Sequence, residues 1–126
     1  MADTTILIIE DEAMIADMVV AVLSKNGYRG IWNGSARDAL EELRAGKVTP
    51  NLILLDGILP GMDGWEFMKE LGKSGEISKI PIVTMSSLVD FERSKIPPSV
   101  NVVGKLDKPF TAGAIVDAVR RATGGA

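Results

Sequence analysis

The chain has 126 residues, 46% of them hydrophobic and 25% charged, the composition of one globular domain long enough to bury a proper core. Against 14 Lys and Arg stand 17 Asp and Glu, a net charge of −3, which argues against direct nucleic-acid binding and against adhesion to an anionic membrane. With no Cys and no His, disulfides, thiol chemistry and any histidine-based catalytic base or metal site are excluded within these residues, and a reducing, cytoplasmic setting fits.

Met1-Ala2-Asp3 is acidic and does not open a cationic, apolar secretion signal, and no apolar run approaches the roughly 18 residues of a membrane helix. Thr5 to Ile9 reads as a strand, then Glu12 to Lys25 as a helix with Ile15, Met18, Val19, Val22 and Leu23 on one face. Asn26-Gly27 stops that helix. A polar, weaker strand covers Tyr28 to Trp32. Ser35 caps the second helix, with Asp38 three residues on and Leu40 and Leu43 inward. Pro50 precedes a third strand, Leu52 to Leu55, apolar throughout as a strand covered on both faces should be. Asp63, with Glu66 three residues later, caps a third helix that carries Trp65, Met68 and Leu71. Ile80 to Met85 is the fourth strand, a short fourth helix follows, and Val100 to Val103 is the fifth strand. Thr111 caps the last helix, with Ile115, Val116 and Val119 inward and Arg120 and Arg121 at its negative end.

Strand and helix thus alternate five times, which favours a parallel sheet with helices on both faces through right-handed crossovers. The polar second strand belongs at an edge and the apolar first and third in the middle. The expected fold is α/β and flavodoxin-like: a doubly wound (βα)5 unit with a five-stranded parallel sheet in the order 2-1-3-4-5. Its switch point lies between strands one and three, where such sheets bind ligands.

Four apolar runs end on chemistry at that edge. Glu10-Asp11 follows Ile6 to Ile9, Asp56 follows Leu52 to Leu55, Ser86 follows Ile82 to Met85, and Lys108-Pro109 follows Val102-Val103 by a short step. Taken singly, each has a plainer reading. Glu10 to Glu12 would complement a helix dipole, Asp56 before Gly57 would be a turn residue, Ser86 a cap and Lys108 a solvated lysine. Their joint placement is what those readings leave unexplained. Clustered carboxylates repel and drive one of their number toward protonation. A hard divalent cation relieves this, and oxygen-only ligands with room for water suit Mg²⁺. Such an ion shields an incoming phosphoryl group. A carboxylate can attack phosphorus as a nucleophile, while Ser86 and Lys108 can hold phosphoryl oxygens.

Over essentially its whole length the chain resembles a response-regulator receiver domain. Glu10-Asp11 resembles the family's acidic pair, and Leu55-Asp56-Gly57-Ile58-Leu59-Pro60-Gly61-Met62-Asp63-Gly64 its phosphoacceptor segment. Ser86, five residues after Pro81, matches its Ser/Thr switch, and Lys108-Pro109-Phe110 its Lys-Pro-Phe. The resemblance implies one receiver domain over residues 1–126 in a two-component phosphorelay, and the chain is expected to be free-standing and cytoplasmic. Asp56 would accept a phosphoryl group from the phosphohistidine of a sensor histidine kinase or a histidine phosphotransfer protein. Mg²⁺ would be bound by Asp11, Asp56 and the main-chain carbonyl of Ile58, with Glu10 reaching it through water. Phosphorylation would alter the surface offered to a downstream protein. No enzyme activity is implied beyond the domain's own phosphotransfer and slow autodephosphorylation.

Several positions depart from the family pattern. Lys105, three residues before Lys108, stands where Tyr or Phe is usual, so the inward swing of an aromatic ring that accompanies conventional switching is not available. Pro97-Pro98 falls where the fourth helix usually continues, so that helix is expected to be clipped to about two turns. Gly57 replaces a usual apolar residue and would loosen the loop. Ile58 and Leu88 occupy the places that flank the hydrolytic water in receivers. Both are apolar and cannot orient that water, so a long-lived aspartyl phosphate is expected.

Rival classes fit less well. A haloacid-dehalogenase-type phosphatase needs a second Asp two residues after the nucleophile, where Ile58 stands. A flavodoxin-like FMN carrier needs a Ser/Thr/Gly-rich loop where Glu10-Asp11-Glu12 stands. A pseudo-receiver that serves only as an interaction scaffold is the alternative to a phosphorylatable receiver, and it would be expected to have lost part of the acidic pocket.

Overall fold

The computed structural model describes residues 4–57, 59, 61–86 and 96–124, with the backbone alone at Ser86. Five strands, β1 (Thr4–Ile9), β2 (Tyr28–Asn33), β3 (Leu52–Asp56), β4 (Pro81–Ser86) and β5 (Asn101–Asp107), form one parallel sheet in the order β2-β1-β3-β4-β5. Among the described residues the helices are α1 (Ala13–Lys25), α2 (Ala36–Arg44), α3 (Gly64–Leu71) and α4 (Ala112–Ala122), with a 3-10 turn at Gly75–Lys79. This is the doubly wound architecture that the alternation predicts.

Side chains of the central strands alternate between two cores, as a strand covered on both faces requires. Leu7, Ile9, Ile53 and Leu55 meet Leu40 and Leu43 of α2 and Phe67, Met68 and Leu71 of α3. Ile6, Ile8, Leu52 and Leu54 meet Val19 and Leu23 of α1 and Ile115 and Val119 of α4. Each such side chain, no more than 3% exposed, stabilises the fold by about 1.5–3 kcal/mol. The caps read from sequence are formed. Ser35 Oγ accepts from Asp38 N at 3.2 Å, Asp63 Oδ1 from Glu66 N at 2.9 Å and Thr111 Oγ1 from Ala114 N at 3.1 Å. Gly27, at φ +84°, ends α1 in a conformation other residues avoid.

Three expectations are corrected. Glu12 is the residue before α1 rather than its first turn, and its side chain makes no capping bond. Met18 points outward, and Ala16 takes the inward place beside Val19 and Leu23. Gly30 lets α1 approach closely, a Cβ there lying 3.4 Å from Val20 Cα. The face turned inward is that of Ala16, Val19 and Leu23, three and four residues apart, which leaves Met18 on the other side of the helix from Ala16. Third, β5 does not stop at Val103 but runs on to Asp107. Ile82 pairs with Val102 and Val83 with Gly104, so Val103 is the extra residue of a bulge. The short fourth helix expected between β4 and β5 lies outside the described residues, and the chain resumes in a turn in which Val100 N donates to Pro97 O at 3.3 Å.

Candidate functional site

Strand register builds the site. Ile9 pairs with Leu55, which sets Glu10 beside Asp56 at the carboxyl edge of the sheet. Asp56 pairs with Met85, so Ser86 follows one step later, level with Gly57. Ser86 also pairs with Asp107, and the residue after Asp107 is Lys108. The bulge-extended β5 thus delivers Lys108 to the edge directly, rather than by a connecting step. The Lys108-Pro109 peptide is cis.

The loop after Asp56 is held from both ends. Gly57 N donates to Met85 O at 3.2 Å, and Gly64 N closes back onto Gly57 O at 3.2 Å. Gly61 takes φ +78° within that loop, a conformation that explains glycine at this point of the motif. Asp63 then turns the chain into α3 with its capping bond.

Glu10 is completely buried, Asp56 nearly so, and Asp11 is exposed at the rim. One carboxylate oxygen from each lies within 4.8 Å of the others. Lys108 Nζ donates to Glu10 Oε1 at 2.8 Å and to Asp56 Oδ2 at 3.2 Å, so one ammonium bridges the two buried acids. Glu12 N donates to Glu10 Oε2 at 3.2 Å. Burial pushes the Glu10 carboxyl up to about 7, although the Lys108 and Glu12 bonds act against it and the Asp56 carboxylate acts with it. Burial pulls the Lys108 ammonium down, but the Glu10 bond and the Asp56 charge outweigh that and hold it above the ordinary lysine value. Lys108 stays a cation, and the shift falls on the buried Glu10 carboxyl. Three close carboxylates with only oxygen donors suit a small hard dication that retains water.

Of the residues singled out from sequence, Glu10, Asp11, Asp56 and Lys108 come together. Ser86 has its backbone at the same edge, while Ile58, with its carbonyl, and Leu88 lie outside the described residues. Lys105 stands apart on β5, its side chain 74% exposed and its Nζ 3.7 Å from Asp107 Oδ1. Two further residues touch the site. Trp32 Nε1 donates to the Glu10 carbonyl at 2.6 Å, and Asn33 O accepts from Glu10 N at 3.2 Å. Both come from the end of β2, and their only signal in the sequence is a large aromatic ring closing a polar edge strand.

The family model for the response regulator receiver domain matches residues 6–120. The chain belongs to that family. As a receiver domain of two-component systems it is a signalling domain, of a family that binds Mg²⁺ in its acidic site and interacts with histidine kinases or phosphotransfer proteins. It is 31% identical over 115 residues to the phosphate regulon transcriptional regulatory protein PhoB of Escherichia coli, covering 91% of this chain and 49% of PhoB. It thus spans about half the length of that relative. It is 29% identical over 121 residues to sporulation initiation phosphotransferase F of Bacillus subtilis, covering 96% of this chain and 94% of the relative. Among solved structures, chemotaxis protein CheY4 of Vibrio cholerae superposes with a TM-score of 0.84 at 26% identity, over 96% of this receiver and 99% of CheY4. No helix among the receiver's described residues is long and apolar enough to cross a membrane.

Proposed function

We propose that residues 1–126 act as a single cytoplasmic receiver that takes a phosphoryl group on Asp56 from a partner's phosphohistidine. The observation that carries this reading is the bridge from Lys108 to both Glu10 and Asp56. It sets the Asp56 carboxyl beside a cation and within 4.8 Å of the Asp11 carboxylate at the rim. An Asp56 carboxylate oxygen would attack phosphorus while the bond from phosphorus to the imidazole nitrogen breaks and the imidazole leaves with that electron pair. Lys108 would then turn from the carboxylate to a phosphoryl oxygen, and the Ser86 hydroxyl would donate to another.

The three carboxylates fit Mg²⁺: Asp11 and Asp56 would be direct ligands and Glu10 would reach the ion through water. The Ile58 carbonyl, outside the described residues, would be a third ligand by the family resemblance alone. When bound, the ion would shield the negative charge gathered between the carboxylates and the phosphoryl group. The source of the phosphoryl group would be a sensor histidine kinase or a histidine phosphotransfer protein, and the output a changed surface toward a downstream protein. Kinship with a protein named as a phosphotransferase supports relay chemistry. Exposure to acetyl phosphate or phosphoramidate, followed by intact mass, tests the reading. Phosphoryl addition that needs Mg²⁺ and disappears in Asp56→Asn is expected. An unmodified wild-type chain under conditions that label other receivers would instead mark a pseudo-receiver scaffold.

A further inference from the structure

We propose that Trp32 is a positioning residue for the cation site, acting through the peptide that joins Glu10 to Asp11. The inference rests on reading Glu10, Asp11 and Asp56 as a Mg²⁺ site. The Glu10 carbonyl and the Asp11 N–H are two ends of one planar unit, so whatever fixes the carbonyl fixes the direction in which Asp11 leaves the sheet. The Trp32 indole N–H holds that carbonyl at 2.6 Å. Trp32 is in register with Ile8, and its indole reaches forward to the carbonyl two residues further along β1.

The other groups of Glu10 are held separately. Its N–H continues the ladder to Asn33 O at 3.2 Å, and its carboxylate is taken by Lys108 and Glu12 N. The plane after it is where the chain leaves the sheet. Asp11 is exposed, so packing does little to aim it. Its carboxylate nonetheless stands within 4.8 Å of the Glu10 and Asp56 oxygens. Trp32 itself is 42% exposed, so core packing alone does not account for the largest side chain at the end of an edge strand. Its buried contribution is a donor placed on a main-chain carbonyl. Phenylalanine would offer a ring there without the donor.

The test separates the donor from the ring. In the full chain, position 32 alone is changed to Phe, to 3-benzothienylalanine (sulfur in place of N–H, same outline) or to 7-azatryptophan (N–H kept). Mg²⁺ affinity is measured by calorimetry, and metal-free stability by thermal unfolding. The two donor-less proteins should bind Mg²⁺ about three- to ten-fold more weakly, the range of one hydrogen bond, while 7-azatryptophan restores the wild-type value. Wild-type affinity in the benzothienyl protein overturns the role of Trp32, whatever happens to its melting temperature. Failure of the wild type itself to bind millimolar Mg²⁺ overturns the cation site and this role with it.

Discussion

At the carboxyl ends of β1 and β3, Glu10, Asp56 and Lys108 are tied to one another away from water, whereas along β5 the side chains alternate between solvent and partial cover, apart from buried Leu106. Two lysines three residues apart measure the difference. Lys108 is 16% exposed and sits 2.8 and 3.2 Å from two carboxylates, while Lys105 is 74% exposed and reaches Asp107 only at 3.7 Å. A close, desolvated pair holds its geometry, but an exposed one is screened and contributes little. The pocket is therefore built in advance of any ligand. Lys105, at the place where an aromatic residue is usual, contributes an exposed pair on β5 instead of a buried ring.

The largest expected effect comes from removing the bridging cation. In chelator, Lys108→Met should lower unfolding stability by about 3 kcal/mol in urea titration, the low end for breaking a buried pair. Mg²⁺ should restore much of this, since a dication can take over the neutralising role. A loss that Mg²⁺ leaves unchanged would mean that Lys108 acts by packing rather than by charge.

Next is the pH dependence of the metal-free protein. The folded-state value for Glu10, about 7, lies above its ordinary value of 4.5. Between these values the folded state binds more protons, so the contribution is fully present below about pH 4.5 and lost as pH rises through 7. This group alone should remove of the order of 2–3 kcal/mol of stability between pH 4.5 and 8. Comparing the slope of unfolding stability against pH with that of Glu10→Gln checks it. Parallel slopes in the two proteins would contradict the assignment.

These effects trace to residues whose meeting was legible in sequence. Acids and a lysine placed just past apolar runs converge once the sheet is parallel, because every strand presents its carboxyl end at the same edge. What sequence hid depended on tertiary fit. The bulge at Val103, which carries β5 on to Lys108, leaves no mark in an alternation pattern. On α1 two apolar stripes compete, one through Ile15, Met18 and Val22 and one through Ala16, Val19 and Leu23, and the fold buries the second. The Trp32 bond to Glu10 crosses from one strand to its neighbour, and no spacing along the chain encodes it.

A smaller effect concerns how long the phosphoryl group stays. By the family resemblance, Ile58 and Leu88, both outside the described residues, would flank the attacking water with apolar side chains where polar ones would orient it. The double substitution Ile58→Asn and Leu88→Glu should lower the hydrolysis barrier by about 1.5–2 kcal/mol, a ten- to thirty-fold faster decay. Following phosphoprotein decay by intact mass checks this, and equal lifetimes would show that apolar gating does not set the clock.

Smallest of all should be Lys105→Ala. Its exposed pair with Asp107 should change stability by less than about 0.5 kcal/mol and leave Asp56 labelling unaltered. Amide shifts on adding Mg²⁺ and beryllofluoride should fall across residues 87 to 99 in parent and variant alike. Shifts confined to Lys105 and α4 would mean that the β5 side switches through the lysine after all.

The claim that organises both regions is that Asp56 is the phosphoacceptor and that its acidic neighbours hold Mg²⁺ for it. Intact-mass kinetics with acetyl phosphate, with and without Mg²⁺, on wild type and Asp56→Asn, test it most directly. The expected result is one phosphoryl group on the wild type in the presence of Mg²⁺ and none on the mutant. Equal labelling of the two proteins, or labelling indifferent to Mg²⁺, would contradict it.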